Sequence, residues 1–142
     1  NFIQHICSYS FYDCRQLDKI HIPSDSKLKT IGEYAFSFTK ITSVIIPSSV
    51  RSIREGAFKL CNKLEEIIIP SDSELETFEN EIFSYTLIKS IVIPSSVTSI
   101  EEYAFYYCKM LQIIEINNRE MISICKKNFN SYTNTLLMIT VE

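Results

Sequence analysis

The stretch VIIPSSVRSIREGAFKL, Val44 to Leu60, reads as a strand, a stop and a helical turn. It returns 47 residues later as IVIPSSVTSIEEYAFYY, Ile91 to Tyr107. The prolines show that the echo is periodic. There are four, Pro23, Pro47, Pro70 and Pro94, spaced 24, 23 and 24 residues apart, and each follows an isoleucine. Asn117 after Ile116 fills the next such slot. A phenylalanine recurs in step at Phe11, Phe36, Phe58, Phe83, Phe105 and Phe129. Every proline of the chain is a repeat position, and a period of this length is the mark of stacked repeat architectures.

Each unit has three parts. The first is a short run, DKIHI, TSVII, EEIII, KSIVI or QIIEI, with alternate residues apolar, as a strand with one buried face requires. Proline ends it, having no N–H for the next ladder bond. The second part is polar, PSSV or PSDSxL. The third, like SIREGAFKLC, carries Val50, Ile53, Ala57, Phe58 and Cys61, a spacing that predicts a helical or 3-10 turn on the opposite wall. A unit this short cannot bury its apolar side alone. Stacking the units lays Ile on Ile and Phe on Phe in continuous ladders. The expected fold is an α/β solenoid of about six coils of 23–24 residues, one short parallel strand plus one short helical or 3-10 turn per coil.

The coils are of two kinds. After Pro23 and Pro70 a longer turn, SDSxL, leads to a Phe followed by Thr39 or Thr86; after Pro47 and Pro94 a shorter one leads to a Phe followed by Cys61 or Cys108. Two unlike coils make a super-repeat of 47 residues, as duplication of a coil pair would produce. A shorter return after the longer turn is expected to keep the strands in register. Residues 1–142 read as one domain and as a segment of a longer array, since NFIQHICSYSF opens in mid-pattern. The apolar TLLMITV would form an open edge strand, to be covered by further coils or by end-to-end self-association.

Composition narrows the class. The chain has 142 residues, 46% of them hydrophobic, and a net charge of -3, which suits a folded protein and argues against a nucleic-acid binder. No apolar run is long enough to cross a membrane and no signal peptide is visible.

Few residues suggest chemistry. Cys14, Cys61 and Cys108 share one slot in alternate coils, about 9–10 Å apart along a stack of strands. That is beyond the roughly 7 Å that a disulfide spans, so they read as buried small hydrophobes. Cys7 and Cys125 share a second slot at opposite ends and cannot meet, whereas Cys7 and Cys14 could approach within the first coil. His5 and His21 stand alone without metal-ligand spacing. Gly32 and Gly56 lie in turns and make no phosphate-binding loop. The two SDS segments, 24–26 and 71–73, read as turns in which Asp25 and Asp72 bond local backbone rather than a cation. No catalytic pairing is present, and no enzyme activity, cofactor or metal is expected.

The segment IPSSVTSIEEYAFYYCKMLQIIEI, Ile93 to Ile116, resembles the BspA-like, or Treponema pallidum-type, leucine-rich repeat, whose pattern is roughly IPxSVTSIGxxAFxxCxxLxxIxIP. The resemblance covers almost the whole chain. It weakens at the ends, where Ser10 stands for Ala and the segment after Ile116 has lost the proline and the Ala. It implies an α/β leucine-rich-repeat solenoid. It also implies a segment of a cell-surface or secreted protein of bacteria or mucosal protists that adheres to host proteins and cells or to other microbes.

With Leu17, Ile20 and Ile22 and their equivalents pointing inward, the strands turn Ile45, Ile68 and Val92 outward in one file, with Ile113 beside it. Glu65, Glu66, Lys89 and Glu115 rim the file. Such a patch reads as a docking surface for a protein partner, although β-propensity alone also favours Ile and Val on strands. A second file, Tyr34, Phe38, Tyr85, Tyr103, Tyr106 and Tyr107, reads as half-buried packing near the helical wall. The function expected is non-catalytic protein binding by an adhesin-type segment, at the cell surface or secreted. The alternatives are a structural spacer or an intracellular, cytoplasmic interaction scaffold, to which the free thiols lend weight.

Overall fold

The computed structural model describes residues 2–118, residue 120 and the strand 136–138. Phe129, Cys125 and most of the expected sixth coil lie outside the described residues. The chain winds into a parallel β-solenoid of about five turns, and each coil has three sides. The first side carries β3 (Ser43–Ile45), β5 (Glu66–Ile68), β7 (Ser90–Ile93), β9 (Ile113–Ile116) and β10 (Leu136–Met138). The second carries β1 (His5–Ile6), β2 (Thr30–Ile31), β4 (Ser52–Ile53), β6 (Thr77–Phe78) and β8 (Ser99–Ile100). Every strand pairing is parallel. The second side forms one continuous sheet, β1-β2-β4-β6-β8. Its strands were not foreseen, because two residues are too few to display a period of two.

The corner between the first two sides is a turn closed by proline. Val50 N donates to Pro47 O at 3.1 Å and Val97 N to Pro94 O at 3.1 Å. In the longer SDS corners the hydroxyls of Ser26 and Ser73, not the carboxylates of Asp25 and Asp72, accept from Leu28 N and Leu75 N, each at 3.1 Å. Asp25 and Asp72 are exposed.

The third side corrects the expected helical turn: no helix occurs among the described residues. It is a row of consecutive turns. Alternate amides bond backward within the coil, as Ala57 N to Arg54 O and Cys61 N to Phe58 O, both 3.2 Å. The amides between them reach the next coil, as Gly56 N to Asn80 O at 3.0 Å and Phe58 N to Ile82 O at 3.0 Å. A helix would need every amide for its own turn. In three successive coils two slots also hold left-handed backbone, occupied by Tyr34 (φ 51) and Phe38 (φ 62), Gly56 (φ 62) and Leu60 (φ 59), and Glu81 (φ 57) and Tyr85 (φ 61). That geometry interrupts any helix and is costly for residues other than glycine. The apolar spacing misled because successive turns also bring Ala57, Phe58 and Cys61 inward.

The core fills the space between the sides. Val44, Ile46, Ile67, Ile69, Ile91 and Ile93 come from the first, Ile31, Ile53, Phe78 and Ile100 from the second. From the third come stacked phenylalanines: Phe11–Phe36 at 5.1 Å between centroids, Phe36–Phe58 at 5.4 Å and Phe58–Phe83 at 5.9 Å. Leu17, Ile20 and Ile22 pack against this core but are only partly buried.

The cysteines sit as expected in part. Cys61 and Cys108 are buried and free, and each lies in a hydrogen-bonded clamp. The Cys61 thiol donates to Phe36 O at 3.1 Å and meets Thr39 Oγ1 at 3.4 Å, while Thr39 Oγ1 donates to the same carbonyl at 2.8 Å. Cys108, Phe83 and Thr86 repeat the arrangement. This explains why one coil type carries Thr and the next Cys. Cys14 is exposed, against expectation, as is Cys7.

Burial pushes the thiols of Cys61 and Cys108 up to about 11. At pH 8 a thiol reagent is therefore expected to modify Cys7 and Cys14 quickly in the folded protein, and Cys61 and Cys108 only on unfolding, as peptide mass mapping would read. Rapid labelling of Cys61 would show that its coils part in the native state. A raised folded-state pKa gives stability that is whole below the ordinary thiol value of 9 and is lost as pH rises through about 11. Urea midpoints should fall across that window, and the Cys61→Ala/Cys108→Ala variant should show a flatter decline.

Candidate functional site

The exposed face of the first side is the candidate surface. Side chains alternate along each strand, so β3, β5 and β7 turn Val44, Ile67 and Ile91 inward and leave Ile45 at 55%, Ile68 at 43% and Val92 at 44% exposure. Ile45 lies in register with Ile68, and Val92 with Glu115. Ile113, 40% exposed, faces Ser90 rather than Val92, so it stands one row aside. The structure thus gathers the expected residues on one face: an apolar file that ends on the carboxylate of Glu115.

Beside the file runs a polar row. Lys89 Nζ donates to Glu65 Oε2 at 2.6 Å, and this bond holds the Glu65 carboxyl below the ordinary carboxylate range. Glu66, in register with Ser43, is exposed and has no cation partner among the described residues. The ion pair is not legible in the sequence, because Glu65 and Lys89 are neighbours only once the coils are stacked.

The ladder on this side is not continuous. It joins β3 to β5 and β7 to β9 and β10, and it is open between β5 and β7. The run DKIHI, 18–22, forms no strand at all. Both facts go with the spacing of the coils on this side. The bond that starts each junction spans 23 residues in every case: Lys40 N to Leu17 O, Glu65 N to Thr42 O, Leu87 N to Leu64 O and Gln112 N to Lys89 O. Where the prolines are 23 apart, donor and acceptor occupy the same slot and the ladder follows. Where they are 24 apart, the donor falls one residue early and the ladder does not form. The expectation that the strands stay in register throughout is therefore corrected. At the β5–β7 junction the result is a shallow crevice of about 220 Å³, lined by 65–69 and 90–92. The equivalent junction below is lined by Asp18, Lys19, Ile20, His21, Thr42 and Ser43.

The aromatic file resolves into two clusters on the turn side. Tyr34 stacks on Tyr9 at 5.4 Å and Phe38 meets Tyr12 at 5.6 Å. Tyr85 stacks on Tyr107 at 5.1 Å and meets Tyr106 at 5.6 Å, and Tyr103 meets Tyr106 at 5.6 Å. Gly56, Lys59 and Leu60 hold the corresponding slots between them. Burial and the carboxylate of Glu55 push the Tyr34 hydroxyl up to about 12. These rings pack on one another, but Tyr85 at 37% and Tyr103 at 43% stay exposed, so the file is only in part the half-buried packing expected. Among the described residues no three His, Cys, Asp or Glu side chains come together as a metal site, and no helix is long and apolar enough to cross a membrane.

A family model for the BspA type leucine rich repeat region matches in six copies, over residues 1–112 and 76–141. The chain belongs to the BspA-type leucine-rich repeat family. Solved structures carry the same winding. The pneumococcal vaccine antigen PcpA superposes with a TM-score of 0.76 at 23% identity, over 83% of this chain and 29% of that one. The T. pallidum leucine rich repeat protein TpLRR gives 0.73 at 24% identity, over 98% and 66%. A leucine rich cell surface protein from Faecalibacterium prausnitzii A2-165 gives 0.62 at 26% identity, over 82% and 37%. The BspA-type repeats here thus span about a third of the length of two of these proteins. No curated protein matches the sequence.

Proposed function

We propose that this BspA-type segment is a non-catalytic binding module whose strand face docks a protein partner, as part of an adhesin-type surface or secreted protein. The observation that carries the reading is the exposed file of Ile45, Ile68 and Val92, which the alternation of the strands does not require. At the same outward row the first coil has His21 and the fifth Glu115, so strand geometry tolerates polar residues there. Three adjacent coils carry branched aliphatics in that row instead, which suits a desolvated contact centre with a charged rim. The F. prausnitzii relative is described as a cell surface protein, which favours the surface setting.

Binding of the purified segment to host cells and to immobilised matrix proteins tests the reading, beside the variant Ile45→Asp/Ile68→Asp/Val92→Asp. Circular dichroism would show that both fold, since all three positions are exposed. The expected result is binding by the native segment and a loss on the order of tenfold or more in the variant, the scale of truncating a contact centre. Equal binding by both, or by neither, would remove the strand face as the site, and the second outcome would leave a spacer.

A further inference from the structure

The strand side opens once per super-repeat, at 18–21 against 42–43 and again at 65–69 against 90–92, and the proline spacing is 24 rather than 23 at both places. A closed ladder sets strands about 4.8 Å apart and presents a flat face. An open junction is where a partner's side chain can enter between strands. Side chains set into such pockets, rather than those laid on flat surface, carry most of the energy of protein contacts. The two openings differ in lining. The first is walled by Asp18, Lys19 and His21; the second has Ile68 and Val92 at its mouth, each more than two-fifths exposed.

Resting on the strand-face reading above, we infer that the β5–β7 opening is the anchor pocket of that face. Its occupant is a protein segment that inserts an aliphatic side chain with a lysine or arginine next to it. The apolar half of this follows from Ile68 and Val92. The basic half follows from charge complementarity. Lys89 is committed to Glu65 at 2.6 Å, whereas Glu66 lines the same opening with no cation partner among the described residues. The opening therefore presents one uncompensated carboxylate beside two aliphatic side chains. An acidic neighbour on the partner would face that charge without relief. The polar lining of the lower opening would not hold the same side chain, so the two members of the super-repeat are tuned apart by residues that leave the coil geometry alone.

Methyl NMR of the whole chain, labelled at Ile and Val, tests this with two probes, the capped dipeptides acetyl-Leu-Arg-amide and acetyl-Leu-Glu-amide. The first is expected to shift Ile68, Ile91 and Val92 together and to bind roughly two- to fivefold more tightly than the second, the range of one exposed ion pair. Glu66→Lys should reverse the preference. Ser90→Phe, a change at an exposed strand position, should plug the opening and abolish the shifts while the circular dichroism stays native. Absent or scattered shifts, equal affinity for both probes, or shifts that survive Ser90→Phe would each overturn the assignment. The matrix-protein assay separates this inference from the reading beneath it. If Ser90→Phe binds as the native segment does while the triple aspartate variant fails, the anchor is wrong and the face stands. If neither variant loses binding, both are wrong.

Discussion

Phe58→Ala is expected to lower the unfolding free energy by about 3–5 kcal/mol, the range for removing a fully buried aromatic ring. Phe58 is wholly buried, and it lies between Phe36 at 5.4 Å and Phe83 at 5.9 Å. The cavity left behind would open on two neighbours, and both are held by cross-coil hydrogen bonds that resist collapse: Phe36 N to Ala57 O at 2.9 Å and Phe83 N to Ala104 O at 2.9 Å. Solenoid coils are coupled only to their neighbours, so a gap in the middle of the stack weakens the link between its two halves. Urea unfolding should show a lower midpoint and a broader, two-step transition. Phe11→Ala is the control, since among the described residues Phe11 stacks on Phe36 alone and is 40% exposed. It should cost well under half as much. A Phe58 variant that loses no more than the Phe11 variant would mean that the stacked rings are not what joins the coils.

Gly32→Ala is expected to detach the first coil, at a cost of about 1–3 kcal/mol or more, as for overpacking that backbone must absorb. A methyl group at Gly32 would lie 2.4 Å from Ser8 N, 2.7 Å from the Cys7 carbonyl carbon and 2.8 Å from Ile6 O. All three are main-chain atoms, and Gly32 N itself donates to Ile6 O at 2.8 Å. The clash is relieved only if the first coil moves away, which breaks the β1–β2 pairing of Ile6 with Ile31. Gly56→Ala provides the comparison. There the left-handed backbone (φ +62) costs about 1–2 kcal/mol for any side chain. Its close neighbours, however, are atoms of the Tyr34 ring, 2.4 Å away at the nearest, and that ring can swing outward. Amide hydrogen exchange distinguishes the two. Gly32→Ala should expose the amides of 6–13 while those of β6 and β8 stay protected; Gly56→Ala should lower protection modestly and without that polarity. Native-like protection of the first coil in Gly32→Ala would show that the coils can separate far enough to admit the methyl group without losing their bonds.

Much of this molecule was legible early, and the residues show why. Val44 and Ile45 had to face opposite ways because successive side chains on a strand always do. Phe36 had to meet Phe58 because residues one period apart share a slot in any stacked repeat. The candidate file of Ile45, Ile68 and Val92 needed only those two rules. The SDS corners were read correctly as turns, but not in the atoms that make them: Ser26 and Ser73 are partly or fully buried where a short hydroxyl can reach Leu28 N and Leu75 N. The turn side was misread because Ala57, Phe58 and Cys61 point inward both from a helix and from a row of turns. Only the destination of the amides, to the same coil or to the next, tells the two apart.

The sequence by itself determined the period, the inward slots and the stacking, because these rest on local alternation and on repetition, which a single chain carries in full. The tertiary structure decided the turn backbone, the Glu65–Lys89 bridge and the opening between β5 and β7. Each of these depends on the phase of one coil against the next. A proline spacing of 24 instead of 23 is plain in the sequence. Whether the extra residue is taken up in a loop or opens the ladder depends on where the cross-coil hydrogen bonds lock, and they lock only when the coils are in place.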